Sequence, residues 1–488
     1  MTLAFSSPTS PGWQWDHSYA QLPAEFFRFT TPVPVCAPQL VVLNRPLAIS
    51  LGLDPELLEN SAVFAGNEIP QGSMPLAQAY AGHQFGNFTN LGDGRAILLG
   101  EHLTPAGKRF DIQLKGSGRT PYSRGGDGRA ALGPMLREYI ISEAMHALGI
   151  PTTRSLAVAT TGEHVPRMEM LDGAVLTRVA ASHIRVGTFQ YAAALQDPAL
   201  LKALADFTLQ RHFPELMDAD APYRELFKSI MERQAALIAR WLHVGFIHGV
   251  MNTDNMALSG ETIDYGPCAF MNDYDPDTVF SSIDRQGRYA YGNQASIARW
   301  DLARLAETFL PLFDADRNVA VIVANDVLGG FDVCFQERWL DGMRAKLGIH
   351  NAENGDEILV NQLLEWMHTS HQDFTNTFRA LSAEDAIREP IFINGDFIQW
   401  HGAWSARLAR QPLSLGDTAA RMRTHNAAVI ARNHLVEAAL AAAVERQDLT
   451  VMERLLTTLA QPYAEGIGAE FTSLPPASGQ IYQTFCGT

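Results

Sequence analysis

The chain has 488 residues, of which 47% are hydrophobic and 18% charged, a composition typical of a soluble globular protein with room for two or three domains. Fifty-three acidic residues against 37 basic ones give a net charge of −16, which disfavours nucleic acid or an anionic membrane as the main partner. The sequence has neither a charged leader with an apolar core nor a run of about 18 apolar residues, so we expect a cytoplasmic protein.

The first 75 residues are rich in Pro and Gly and carry only short apolar segments. The pattern from Arg45 predicts a short helix that ends near Gly52. We expect this part of the chain to be an extension that packs on the core.

A first Gly-rich stretch, GHQFGNFTNLGDGRAILL, runs from Gly82 to Leu99 and leads into a predicted buried strand. Glycines let a hairpin backbone approach a phosphate closely, but a plain turn has the same composition. The next segment, FDIQLK, alternates like a half-buried strand and ends on Lys115, where kinase-like sites carry a phosphate-pairing lysine.

A second Gly-rich stretch, from Gly116 to Pro134, holds six glycines and three arginines. Such a loop could surround an anion with amides and guanidinium groups, while a flexible linker is the competing interpretation. An amphipathic helix is predicted from Met135 to Leu148. Glu138 near its start is suited to pair with the strand lysine, unless it simply faces solvent.

Two further strands are predicted, at Arg154–Val158 and Gly173–Val179, and they would complete a small sheet. Arg178 and Arg185 leave the end of this sheet and could hold separate phosphate oxygens, although surface arginines are the default. A long amphipathic helix from Glu225 to Val244 then leads into the most informative motif.

That motif runs from His248 to Asp264 and reads HGVMNTDNMALSGETID. A kinase-like catalytic loop has a His, an Asp two residues later, an Asn five residues after that Asp, and then a strand ending in Asp-x-Gly. His248, Asn255 and Asp264 occupy three of those places, but Val250 stands where the catalytic Asp is expected. The motif therefore keeps two metal ligands and lacks the usual base.

The rest of the chain is mostly helical, beginning with a helix over Ser296–Phe309 and including another over Arg432–Val444. These patterns predict an α+β, protein-kinase-like two-lobe fold with a small β-rich lobe, a larger helical lobe and the site between them. The expected divisions are an extension over 1–75, the small lobe over 76–186, the helical lobe over 187–420 and a C-terminal helical extension over 421–488.

Several motifs together resemble the selenoprotein O family of pseudokinase-fold protein adenylyltransferases. They are HGVMNTDN, DYG, LKGSGRTPYSRGGDGRAALGPMLREY and AYAGHQFGNFTNLGDGRA. The resemblance implies transfer of AMP from ATP to Ser, Thr or Tyr hydroxyls of proteins, including redox or metabolic proteins and the enzyme itself. It also implies that the nucleotide binds in the reverse of the kinase orientation.

The resemblance carries specific roles to residues of this chain. Asp254 would accept the proton of the incoming hydroxyl, although an Asp there could equally orient the metal site. Asn255 and Asp264 would bind Mg²⁺ or Mn²⁺. The residues expected to hold ATP are Gly92, Gly94, Arg95, Lys115, Asp127, Gly128, Glu138, Arg178 and Arg185.

The cysteines suggest no zinc site, since none of the four forms a CxxC pair. Cys486 stands in the tail where selenoprotein members carry selenocysteine. We expect two buried free thiols, with a pairing between Cys486 and Cys268, its most suggestive partner, as the alternative. An atypical kinase and a non-catalytic ATP-binding scaffold remain alternative functions for the chain. A kinase would need a carboxylate at the position of Val250. A scaffold would have no evident need to keep Lys115, Glu138, Asn255 and Asp264 together.

Overall fold

An antiparallel sheet organises the N-terminal half of the chain in the computed structural model, which describes residues 10–383, 392, 395–476 and 482–484. The strands are β1 Trp15–Asp16, β2 Phe27–Phe29, β3 Gln39–Leu43, β4 Leu76–Gln78, β5 Ala81–Gln84, β6 Asn87–Asn90, β7 Ala96–Leu103, β8 Arg109–Lys115, β9 Ala130–Ala131, β10 Arg154–Pro166, β11 Met170–Ala180, β12 Phe246–Ile247 and β13 Ala269–Phe270.

Helices pack on the sheet and make up most of the C-terminal half. In chain order, the helices of both halves are α1 Arg45–Leu51, α2 Ser61–Ala65, α3 Leu132–Ala147, α4 Val186–Ala194, α5 Pro198–His212, α6 Pro222–His243, α7 Gln294–Phe313, α8 Arg317–Gly329, α9 Phe331–Lys346, α10 Asp356–Thr369, α11 Phe374–Leu381, α12 Gly395–Leu408, α13 Leu415–His425, α14 Asn433–Arg446, α15 Thr450–Leu459 and α16 Ala469–Thr472.

The main sheet has nine strands in the order β2-β4-β7-β8-β11-β10-β3, with β1 added beside β7 and β9 beside β11. All of its pairings are antiparallel. The α+β class is therefore confirmed. Two small two-stranded sheets lie outside this sheet: β5 pairs with β6 in a hairpin, and β12 pairs with β13 across the loop between them.

The first 75 residues contribute strands to the sheet as well as covering it. Strands β1, β2 and β3 all pair within the main sheet. Helix α1 begins after the cap Asn44 and ends at Gly52, as predicted, with Gly52 in the left-handed conformation. Together α1 and α2 cover one face, where Leu51 and Phe64 pack with Ile112 and Leu114. This part of the chain is thus integral to the fold of the sheet.

Strand β8 is buried on both faces, so the prediction of a half-buried strand was wrong. Five of its seven residues are buried. The alternation in its sequence has another cause: Ile112 and Leu114 face α1 and α2, whereas Gln113 and Lys115 point to the opposite side, where helix α3 packs on the sheet. A polar face covered by a helix rather than by water creates a buried polar site.

Helix α3 also differs from its prediction. It starts at Leu132, three residues early, because Pro134 is tolerated in a first turn whose N–H groups have no intrahelical partners. Eleven of its 16 residues are buried, so it is a core helix rather than an amphipathic one. It packs against β10 and β11 on one side and against α14 on the other.

The helical half holds the catalytic-type loop in place. Helix α6 delivers the chain to His248, whose N–H donates to Gln294 Oε1 of α7 at 3.0 Å. Gln294 Nε2 in turn donates to the carbonyl oxygen of Phe246 at 3.0 Å. The predicted helices over 225–244, 296–309 and 432–444 correspond to α6, α7 and α14. One glutamine therefore fixes both the strand that enters the loop and the loop itself.

One apolar stretch has the length and composition of a membrane span. It covers Arg317–Lys346, and an 18-residue window in it has a mean hydropathy of 1.5 with 22% of the window buried. The fold divides this stretch into α8 and α9, and both helices pack against α6. Length and composition alone are weak evidence of a membrane-spanning helix, since helices that pack inside other proteins pass the same criterion.

Replacing Phe64 tests whether the N-terminal segment is part of the core. Phe64 is 1% exposed in α2, so Phe64→Ala should lower the free energy of unfolding by about 3–5 kcal/mol through lost burial and a cavity. Ile49→Ala in α1 is the control, because Ile49 is 65% exposed and its loss should cost about 0.5 kcal/mol or less. Urea unfolding measures both, and equal midpoints would contradict this assignment.

Candidate active site

The buried polar face of the sheet carries an ion-pair cluster. Lys115 ends β8 and its Nζ lies 2.6 Å from Glu138 Oε2 on α3, which is the predicted pair. Arg178 on β11 donates from Nε and Nη2 to the other oxygen, Oε1, at 2.9 and 2.6 Å. Burial raises the pKa of Glu138, but Arg178 and Lys115 outweigh it and the pKa is lowered. Glu138 is therefore ionised and holds two cations at fixed positions.

Asp264 joins this cluster from the other side of the cleft. Its Oδ1 accepts from Lys115 Nζ at 3.0 Å and from Arg178 Nη2 at 2.7 Å, and its Oδ2 accepts from Arg185 Nη1 at 2.9 Å. Burial alone would raise the pKa of Asp264, yet these three cations hold it well below its ordinary value. Three cations against two carboxylates leave one net positive charge, which favours an anionic ligand.

The catalytic-type loop is built around His248 and Asn255. His248 is buried, stacks on Trp241 at 5.4 Å between ring centroids, and its Nε2 lies 2.9 Å from the carbonyl oxygen of Ile263. Asn255 Nδ2 donates to the carbonyl oxygen of Val250 at 2.9 Å. That bond turns the amide oxygen of Asn255 away from the loop and leaves it free to bind a cation.

Asp254 lies against the β5–β6 hairpin. It is 8% exposed, and its Oδ1 has no hydrogen-bond partner within the part of the chain that the structure describes. Burial raises the pKa of Asp254 to about 6, against the lowering effect of Arg185. Arg185 Nη1 donates to the Asp254 carbonyl oxygen at 2.9 Å as well as to Asp264, so one guanidinium fixes the spacing of both acids. A carboxylate with a raised pKa beside a cleft is suited to accept a proton.

The first Gly-rich stretch divides into two parts with different surroundings. In its hairpin, His83 N donates to Thr253 Oγ1 at 2.7 Å and Phe85 N donates to Asn252 Oδ1 at 3.1 Å. The hairpin thus holds the catalytic-type loop, and the turn at Gly86 has open space around it. The second part, from Leu91 to Ala96, lines the cleft, and the hairpin contributes Gln84 to the same lining.

All twelve predicted site residues line one cleft of about 1300 Å³. They are Gly92, Gly94, Arg95, Lys115, Asp127, Gly128, Glu138, Arg178, Arg185, Asp254, Asn255 and Asp264. The volume exceeds the usual size of a small-molecule pocket and leaves room for a nucleotide together with an acceptor group.

The chain is similar in sequence to known proteins over nearly its whole length. Residues 12–460 match the model of the family described as protein adenylyltransferase SelO. The chain is 61% identical over 482 residues to a protein nucleotidyltransferase YdiU of Brevibacillus brevis, with 98% of each chain covered. YdiU proteins of Alkaliphilus metalliredigens and Geobacillus kaustophilus are 61% and 59% identical, over 98% of this chain and 98% and 99% of theirs.

The chain belongs to the SelO family of protein adenylyltransferases. The match extends over nearly the whole sequence, from the first strands of the sheet to helix α15. The resemblance inferred from the motifs is therefore confirmed, and so is the enzyme class, a nucleotidyltransferase. Roles of single residues in this SelO chain rest on the geometry above.

Sequence reasoning missed several residues that line the cleft. Tyr80 lies under the guanidinium of Arg185, 4.5 Å from the ring centroid, and Tyr122 packs on the backbone at Gly92. Helix α14 contributes Glu437 and Val444, more than 150 residues along the chain from Asp264. Aromatic side chains in glycine-rich segments were a usable signal, but no pattern in the sequence indicated α14.

The tail also reaches the cleft of this SelO chain. Residues 482–484 line it, and Thr484 Oγ1 donates to the carbonyl oxygen of Pro267 at 2.7 Å. Cys268 is buried, and burial raises the pKa of its thiol to about 12. Cys486 lies outside the described residues, so the expectation of two free thiols, with a pairing to Cys268 as the alternative, stays a prediction.

Gly82→Ala tests the contact that fixes Asp254. A Cβ at Gly82 would lie 2.1 Å from Asp254 Oδ1, so the carboxylate must move. We expect transfer activity to fall roughly 100-fold, since displacement by about 1 Å has that effect on reacting groups. Gly402→Ala is the control because its Cβ meets nothing within 4 Å. Activity assays with thermal unfolding measure this, and a fully active, stable Gly82→Ala protein would contradict the role given to Asp254.

Proposed function

We propose that this chain transfers AMP from ATP to Ser, Thr or Tyr hydroxyls of proteins and releases pyrophosphate. The observation that carries the proposal is the combination of an intact cation cluster with a displaced base. Lys115, Arg178 and Arg185 converge within 3.0 Å of Asp264. Val250 occupies the place of a kinase base, and Asp254 follows four residues later in the same loop. Family membership supports the same reaction.

The arrangement we propose is that of a kinase-like pair of lobes. The Lys115–Glu138 pair joins a sheet strand to the helix packed on it, as the strand lysine and helix glutamate do in protein kinases. Across the cleft, His248, Asn255 and Asp264 keep the spacing of a catalytic loop and its metal-binding tripeptide. The divisions at residues 76, 187 and 421 remain predictions.

The nucleotide would lie with its outer phosphates toward the sheet. Lys115, Arg178 and Arg185 would bind these phosphates, with Gly92, Gly94 and Gly128 allowing close backbone approach. This reversed orientation brings the α-phosphate to the side of Asn255 and Asp264. An acceptor hydroxyl that enters beside Asp254 would then meet the α-phosphate, whereas a kinase presents the γ-phosphate at that position.

The residues present fit Mg²⁺ or Mn²⁺. Asn255 offers an amide oxygen and Asp264 a carboxylate, which are hard oxygen ligands of the kind these cations prefer. No cluster of three or more His, Cys, Asp or Glu residues suited to a metal occurs among residues 10–383, 392, 395–476 and 482–484. Nucleotide phosphates and water would therefore complete the coordination, as is usual for Mg²⁺ with ATP. A bound cation would neutralise charge at the α-phosphate and on pyrophosphate.

Asp254 would accept the proton as the hydroxyl oxygen attacks the α-phosphorus. The bond to the bridging oxygen breaks, and its electron pair leaves with pyrophosphate, where the cation cluster stabilises the charge. An atypical kinase would instead need a base at Val250, whose buried aliphatic side chain cannot accept a proton. A non-catalytic scaffold would leave the free carboxylate oxygen of Asp254 without a purpose.

The substrates we propose are proteins, including the enzyme itself, in the cytoplasm. Redox and metabolic proteins are the expected targets, and neither nucleic acid nor membrane is expected as a partner. The net charge of −16 supports this choice, because a strongly acidic protein repels the phosphates of nucleic acid and of anionic membranes.

ATP labelled separately at the α- and γ-phosphate tests the proposed function. With Mg²⁺ or Mn²⁺ present, we expect only α-label to become attached to protein, since the bond to pyrophosphate breaks. Asp254→Asn should reduce transfer by at least about 100-fold while ATP still binds, because the general base is lost. Attachment of γ-label would establish a kinase. Binding of ATP without transfer of either label would instead support a non-catalytic ATP-binding scaffold.

The Asp264 cluster predicts that nucleotide and cation bind cooperatively. Both oxygens of Asp264 accept hydrogen bonds from protein cations, so Mn²⁺ alone must compete with them. A non-hydrolysable ATP analogue would draw Lys115, Arg178 and Arg185 to its phosphates, and Mn²⁺ should then bind at least roughly tenfold more tightly.

Calorimetric titration of Mn²⁺ with and without the analogue measures this coupling. Asp264→Asn should abolish it, whereas Glu445→Gln, which changes an exposed acid of the same cleft, should retain it. Equal Mn²⁺ affinity in both titrations of the wild-type protein would contradict the prediction.

A further inference from the structure

The second Gly-rich loop, residues 116–129, is fixed onto the first one. Thr120 Oγ1 donates to the carbonyl oxygen of Asp93 at 2.6 Å, and Ser123 Oγ donates to the carbonyl oxygen of Gly94. A Cβ at Gly92 would lie 2.5 Å from the ring of Tyr122, which shows how closely this ring covers the first loop. The next residue along the chain, Arg124, is therefore held at the edge of the cleft, beside Arg95.

Arg124 has an uncommon backbone conformation for its residue type. Its φ is +49°, in the left-handed region that a residue with a Cβ adopts rarely. The turn that imposes this φ is closed by backbone bonds from Ser123 N to Thr120 O at 3.1 Å and from Gly126 N to Ser123 O at 2.8 Å. The fold holds this arginine in a strained backbone conformation, and such strain is concentrated at functional sites.

The three arginines of the second Gly-rich loop have different surroundings. Arg129 is engaged, donating to the carbonyl oxygens of Val33 and Pro34. Arg119 and Arg124 are both exposed, and in the described part of the chain neither guanidinium has a hydrogen-bonding or ion-pair partner. Only Arg124 of this exposed pair lines the cleft. Arg124 is thus a free cation at the site, and Arg119 is a matched cation outside it.

The charge of the ligand explains why a further cation is needed. The two outer phosphates of ATP carry roughly −3 at neutral pH. The five groups of the inner cluster carry one net positive charge, because Glu138 and Asp264 already neutralise two of its three cations. The buried carboxylate of Asp93 in the same cleft attracts Arg185 and Arg178 as well, which compensates these cations further. Arg95 and Arg124 line the same cleft without carboxylate partners in the residues described. These two arginines supply the positive charge that the inner cluster lacks.

We propose that Arg124 binds the terminal phosphate of ATP and then the departing pyrophosphate. This inference rests on the proposed function and adds a residue that distinguishes ATP from nucleotides with fewer phosphates. As the bond between the α-phosphorus and the bridging oxygen breaks, the electron pair leaves with pyrophosphate, and Arg124 donates N–H bonds to that charge. Its guanidinium stays protonated throughout, so no proton is transferred to or from it.

Competition binding tests the role of Arg124 without depending on catalysis. Inorganic pyrophosphate and AMP would each be used to displace labelled ATP from the wild-type protein and from Arg124→Ala, Arg124→Lys and Arg119→Ala. For Arg124→Ala we expect pyrophosphate to bind roughly tenfold or more weakly, since a charge-assisted bond is lost, with AMP within about twofold of the wild type. The pyrophosphate affinity of Arg124→Lys should lie between those of the wild type and Arg124→Ala, because lysine keeps the charge and lacks the planar guanidinium.

Three results would overturn the proposal. The first is unchanged pyrophosphate affinity in Arg124→Ala. The second is an equal loss of pyrophosphate affinity in Arg119→Ala, which would show that any positive charge on this loop has the same effect. The third is an equal loss of AMP affinity in Arg124→Ala, which would reveal collapse of the loop. A wild-type protein that attaches no α-label would refute the proposed function, whereas the pyrophosphate comparison would still report on Arg124.

Discussion

The site depends on the ion pairs of one carboxylate, Asp264, with three cations: Lys115, Arg178 and Arg185. Each of these cations would be unfavourable if buried alone, and the desolvation of a buried charge is offset only by close pairing with good geometry. Glu138 completes the pairing from α3, with Lys115 and Arg178 each within 2.6 Å. The cluster joins a strand, a helix and a loop that are far apart in the chain. Its single uncompensated positive charge makes a local anion site in a protein whose net charge is strongly negative.

Two surrounding features follow from this cluster. Two of its three cations come from the neighbouring strands β8 and β11, with Arg178 opposite Gln113 and Lys115 two residues further along β8, so the sheet is covered by α3 on that face and by α1 and α2 on the other. The third cation, Arg185, also donates to the carbonyl oxygen of Asp254, so the guanidinium that binds the Asp264 carboxylate fixes the backbone at Asp254 as well. A change at any one member is therefore transmitted to the others, and their effects should not be additive.

The sequence predicted the chemistry better than the packing. The spacing of Lys115 and Glu138, and of His248, Asn255 and Asp264, identified groups that do converge, because motif spacing reflects local constraints of strand, turn and helix. It failed for β8, whose alternation was interpreted as exposure although the polar face is covered by α3, and for α3, which is buried on nearly all sides. Alternation reports which residues share a face, and only tertiary structure determines what covers that face. Lining residues from α14 and from 482–484 had no local signal, since nothing near them in the chain marks their position in space.

The position of the base is the clearest physical argument about how this site differs from a kinase. Val250 stands where a kinase-like loop carries a carboxylate, while Asp254, four residues later, supplies one that packs against the β5–β6 hairpin, where Gly82 leaves room for it. The free oxygen of Asp254 has no partner among the residues the structure describes, so it is kept available at the cost of an unpaired buried acceptor. In the proposed reaction, Asp254 would take the proton that a carboxylate at Val250 would take in a kinase, and the reversed nucleotide would present its α-phosphate to the same acceptor. The moved base and the reversed substrate would then be two parts of one geometric change.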